Sequence, residues 1–152
     1  MRIPEYVSTE EVKAVCKKLG IRDWTTMDKI EVTLEEAKKI LAELETGDMA
    51  IDLENFRIGL EVELEHGMRD PETNVTNNHP ILTGKIVLAH FKETLDYYQR
   101  LEVTEIEGDL LKALISKDYE KVAKLYQKLI IAKQKLAETE VKSLNLFGNP
   151  QK

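Results

Sequence analysis

The chain has 152 residues, of which 22 are Lys or Arg and 28 are Asp or Glu, for a net charge of −6. That length, with 42% apolar residues, fits one globular domain (1–152) with its own core and excludes a disordered or fibrous chain. The acidic balance argues against a nucleic-acid partner, no apolar run approaches the ~20 residues of a membrane span, and the single Cys16 cannot form an internal disulfide. With no apolar leader after Met1, the expected location is cytoplasmic.

Sparse Gly and Pro with abundant Glu, Lys and Leu predict a mainly α fold. The expected arrangement is a helical bundle built on two central helices. Ser8-Thr9-Glu10-Glu11 has capping-box spacing and Gly20 is a ready stop, so the first helix should cover 9–19. Residues 21–24 and 29–32 read as short extended segments and predict a minor two-stranded element. Thr33-Leu34-Glu35-Glu36 repeats the start signal, and Leu34, Ala37, Ile40, Leu41 and Leu44 recur at helical spacing towards Gly47. This N-terminal helical part occupies about 1–50.

Residues 56–64 carry two patterns at once. Phe56, Ile58, Leu60, Val62 and Leu64 alternate with polar residues or glycine, which taken alone is a strand signal. On a helical wheel, however, Glu54, Arg57, Glu61 and Glu65 gather into one narrow wedge, and the remaining arc is broadly apolar. Asp52 suits an N-cap and Gly67 a stop, so a central helix is predicted over about 53–66. A second central helix should start at Pro80 and run to about 101, with a polar side of Lys85, Lys92, Asp96, Gln99 and Arg100. The two bound a core region at about 52–102. The 68–79 connection is long enough to be functional. After Gly108 a Leu-rich stripe predicts one or two helices over about 109–143, with Ser116-Lys117-Asp118 as the interruption and Asp118 as a new N-cap.

All three histidines, His66, His79 and His90, fall within this core region. Glu63 and His66 are spaced i, i+3 on the buried arc of the first central helix, and His90 and Glu93 repeat the pairing in reverse on the second. Inward imidazoles and carboxylates from two central helices are what bundle metal sites use. One reading is therefore a mononuclear site of Glu63, His66, His90 and Glu93 for a divalent transition metal (Zn, Fe or Mn), with Tyr97, Tyr98 and Asn55 in supporting positions. Di-iron bundles instead need two Glu-x-x-His motifs and two further Glu. Were the chain an enzyme, the metal would act as Lewis acid or redox centre and the 68–79 loop as a lid, with His79 a candidate loop residue. The other reading is a non-catalytic structural or interaction protein whose inward His and Glu satisfy one another, self-associating as a homo-oligomer through its C-terminal helices. Cys16, among Val12, Val15 and Leu19, reads as a small core residue.

The stretch GLEVELEHG from Gly59 to Gly67, then Asn74-Val75-Thr76, then LTGKI from Leu82, Leu88-Ala89-His90, Glu93 and Asp96-Tyr97-Tyr98 with Arg100-Leu101, resembles a family of small bacterial, archaeal and phage proteins filed as a domain of unknown function. The resemblance covers about a third of the chain. It implies that Glu63, His66, His90, Glu93 and the Tyr97-Tyr98 pair matter together, and it carries no activity. The family more often has acidic residues where this chain has Asn78 and His79.

Overall fold

The computed structural model describes residues 7–69 and 73–148, and the chain divides into two compact units, Met1–Leu95 and Asp96–Lys152. Helix boundaries follow the caps. Ser8 Oγ accepts from the Glu11 N–H (3.2 Å) to open α1 (Thr9–Leu19), and Gly20, at φ +62°, closes it by donating to the Cys16 and Lys17 carbonyls. Thr33 and Glu36 form a reciprocal capping box at the start of α2 (Leu34–Ala42). Asp52 Oδ1 accepts from the Asn55 N–H (2.9 Å) at the start of α3 (Leu53–Arg69), so the ambiguous 56–64 stretch is helical. Gly67 does not stop that helix, which continues to Arg69. His79 caps α4 (Pro80–Glu93), and α5 (Tyr97–Ile115) and α6 (Tyr119–Gly148) complete the described chain. Among the described residues no helix is long and apolar enough to cross a membrane.

In the first unit, α3 packs on both α2 and α4, while α1 meets α4 and a short 3-10 turn at Trp24–Thr26. Trp24, Ile40, Phe56, Leu60, Leu64, Val87 and Cys16 are sealed from solvent. Gly84 marks the closest crossing. A methyl placed there would stand 2.8 Å from Leu44 Cδ1 and 3.1 Å from Ile40 Cγ2, so α4 reaches α2 only because this residue has no side chain.

Two expectations are corrected here. The minor two-stranded element does not form, and there is no strand among the described residues. The backbone groups that a ladder would pair are met by side chains instead. Glu36 Oε1 accepts from the Arg22 N–H (3.3 Å), Arg22 Nη2 donates to the Glu31 carbonyl, and Glu61 Oε1 accepts from the Val32 N–H (2.9 Å). Glu61, one of the wedge residues, is thus a tether, and Arg57 bridges it to Glu54.

The second correction concerns the helix expected over 80–101. It breaks after Glu93, where Thr94 is extended (φ −163°, ψ 140°), and α5 starts at Tyr97 and passes straight through Gly108. Asp96 accepts from Arg100 Nε (2.9 Å) and Nη2 (2.8 Å), an i, i+4 pair that stabilises the first turn of a new helix. The predicted interruption at 116–118 is found. Lys117 adopts φ +58°, and Asp118 Oδ1 accepts from the Lys121 N–H (3.0 Å) to start α6.

Within the second unit, α5 and α6 pack against each other as a helical hairpin. Val122, Leu125, Leu129, Ala132 and Leu136 recur on α6 at steps of three and four, the spacing of a two-helix seam, and the middle three are buried.

Candidate functional site

The packing of α3 on α4 brings Glu63 to His90. Glu63 Oε1 lies 3.5 Å from His90 Nε2, and Glu93 Oε1, one turn along α4, lies 3.8 Å from His90 Nδ1. Glu63 is nearly enclosed, His90 about a quarter exposed and Glu93 largely in solvent. At these separations neither contact is a short hydrogen bond. Their directions matter more than their lengths. The carboxylates approach opposite nitrogens of one imidazole, so the ring stands between them, whereas donors to a metal must converge on one point.

The other predicted residues lie on other elements or turns. His66, expected on the buried arc, is exposed near the end of α3. Asn55 sits on the first turn of α3, about 12 Å along the axis from Glu63. Tyr97 and Tyr98 open α5 in the second unit and meet edge to face, centroids 5.2 Å apart. Among the described residues no group of three His, Cys, Asp or Glu is arranged to hold a metal ion.

His79 is buried and has a defined task. Its Nδ1 accepts from the Ile81 and Leu82 N–H groups (3.2 and 3.3 Å), the orphan donors at the start of α4. Only the neutral ring can accept there, and burial lowers the imidazole pKa accordingly. The preceding turn is built for it. Asn77 and Asn78 take φ of 48° and 58°, and Asn77 Nδ2 donates to the Val7 carbonyl (3.1 Å). Cys16 is sealed in the core, and burial pushes its thiol pKa up, which makes it a packing residue.

A second feature, on the hairpin, was only partly anticipated. Arg100 pairs with Glu140 (2.7 Å) and Glu107 with Lys133 (2.7 Å), so the helices are antiparallel, and the same register sets Leu114 opposite Tyr126. These three rungs, seven residues apart on each helix, define one broad side. At its turn end lie Leu111, Leu114 and Ile115 of α5 with Tyr119, Tyr126 and Ile130 of α6, each 48–74% exposed. The opposite side is mainly charged, with Ile131 (56% exposed) set between Lys128 and Lys135. It carries Lys121, Lys128, Lys135 and Lys142 at strict seven-residue spacing on α6, facing Glu102, Glu105 and Asp109 of α5. The Leu-rich stripe was visible in sequence, but its division into a buried seam and an exposed face was not. A second heptad phase, Tyr119, Tyr126, Ile130, Ala137, Leu144, is the signal that would have revealed it.

The family described as protein of unknown function (DUF5661) matches residues 12–107, more than half of the chain, and the chain belongs to that family. The match extends well to the N-terminal side of the stretch that carries the resemblance. No curated protein and no solved structure is similar to the chain.

Proposed function

Starting from membership of a family that assigns no activity, we propose that the chain is a non-catalytic interaction protein whose binding surface is the apolar side of the α5–α6 hairpin. The observation that carries this reading is the contiguous cluster of Leu111, Leu114, Ile115, Tyr119, Tyr126 and Ile130 in solvent. A monomeric globular surface scatters such residues singly, and a cluster of this size marks a contact site. In this reading Glu63, His90 and Glu93 are structural. A carboxylate on each side of the ring fixes the imidazole at the α3–α4 crossing, and their divergent directions favour that role over chelation.

The test is photo-crosslinking in living cells with a photoreactive residue at Tyr126 on the apolar side or at Lys128 on the charged side. Covalent adducts at Tyr126 and none at Lys128 are expected. Equal yields at the two positions would remove the reading. Stoichiometric Zn, Mn or Fe bound by the untagged protein, and lost in Glu63→Gln, would replace it with a metal-site function.

A further inference from the structure

We propose that the occupant of this face is a second copy of the chain, the two hairpins packing apolar side to apolar side as a four-helix bundle; the inference rests on the interaction reading above and names its partner. Three observations single out a second copy. The first is size. Six side chains at 48–74% exposure, at roughly 100 Å² each, offer on the order of 600 Å² of apolar surface per copy, and with a polar rim this approaches the ~800 Å² per partner of a stable complex.

The second is charge. Copies of a chain carrying −6 repel one another wherever like charges face. On this side of the hairpin the charged residues that cross the face are already engaged in ion pairs, Arg100 with both Asp96 and Glu140, and Glu107 with Lys133. Each carboxylate on the face therefore has a cationic partner, and the face can meet itself without bringing unpaired like charges together. It also lacks the unpaired lysines that an anionic membrane or nucleic acid would need, since those lie on the opposite side.

The third is periodicity. Tyr119, Tyr126, Ile130, Ala137 and Leu144 follow steps of seven and four, so the exposed stripe runs straight along α6, as a seam against another long helix requires. A two-fold axis through the face makes the contact isologous and closes the assembly at two copies.

The experiment uses the full chain. Sedimentation equilibrium over about 1–100 µM should give a mass rising to twice 17.5 kDa. Leu111→Glu combined with Ile130→Glu should weaken association on the order of a hundredfold with unchanged helical circular dichroism, because both side chains are exposed in the single chain. Lys128→Glu should leave association unchanged. Thiol labelling separates the remaining outcomes. Tyr126→Cys should become protected as concentration rises while Lys128→Cys stays reactive. A monomer at all concentrations whose Tyr126→Cys labels rapidly overturns the second copy but leaves the face open to a different partner. A monomer whose Tyr126→Cys labels slowly has its face covered by its own chain, and both the proposal and the interaction reading fall. A dimer that survives Leu111→Glu with Ile130→Glu uses another surface and also overturns the proposal.

Discussion

Replacing Glu36 with glutamine tests how the first unit is held together. The Glu36 side chain is only 6% exposed, yet it stays ionised because donors surround it. Arg22 Nε and Nη2 (2.9 and 2.7 Å), the Thr33 N–H and hydroxyl (2.9 and 3.0 Å) and Trp24 Nε1 (3.4 Å) all donate to it. Burial raises the pKa of this carboxyl, but the Arg22 and Thr33 donors outweigh burial and hold it at about 2, against an ordinary 4.5. At about 1.4 kcal/mol per unit the difference corresponds to roughly 3 kcal/mol of folding free energy. Arg22 is half exposed and partly screened, so about 2 kcal/mol is the expected net value. Because the folded pKa lies below the unfolded one, this stability is complete above about pH 4.5 and is lost as pH falls towards 2. Trp24 is the single tryptophan, buried beside Glu36, so its fluorescence during urea unfolding reports on the first unit. Glu36→Gln should lower stability by about 2 kcal/mol at pH 7, and the gap to the unsubstituted protein should shrink by more than half at pH 3. A loss below about 0.5 kcal/mol at pH 7, or a gap independent of pH, would refute the assigned role.

His79 and Gly84 provide two further checks. His79→Ala should cost about 1 kcal/mol through loss of the α4 cap. Burial lowers the His79 pKa below its ordinary 6.5, so its contribution is complete above about pH 6.5 and declines as pH falls below that value. His79→Asn retains a capping acceptor and should abolish that part of the pH dependence, as urea titrations between pH 5 and 8 would establish. Gly84→Val drives a branched side chain into Leu44 and Ile40 and should destabilise by about 1–3 kcal/mol despite its better helix propensity; an unchanged thermal midpoint would show that α2 yields at the crossing.

Much of the helical layout was legible because caps are local. Ser8, Thr33, Asp52 and Asp118 each announce a helix within four residues, and each is found where expected. The break at Thr94 is not visible in the pattern because the apolar arc continues across it, and Asp96 makes no side-chain cap bond that would mark the new start. The mistaken strands have the opposite origin. Residues 21–24 and 29–32 do lie near each other, but Glu36 and Glu61, distant in sequence, supply the partners that a ladder would have supplied. The same limit applied at the candidate site. Periodicity put Glu63 and His90 on facing helices, and their contact is present. It could not say that α3 would present His66 to solvent, nor that Glu93 would approach the far nitrogen of the ring.

The connection between α5 and α6 is only three residues long, turned by Lys117 in the left-handed region. The contacts nearest the turn, such as Leu114 opposite Tyr126, therefore close small loops, and the outer rungs can follow by zipping away from it, which favours rapid formation. The first unit instead depends on α4 docking against α1 and α2, which are much farther away in sequence. In refolding from denaturant, the hairpin is then expected to form early, with its apolar side exposed before the first unit closes its core. An apolar side exposed in the finished protein is also the one most open to premature association during folding, and the regularly spaced lysines and facing carboxylates of the other side oppose it there.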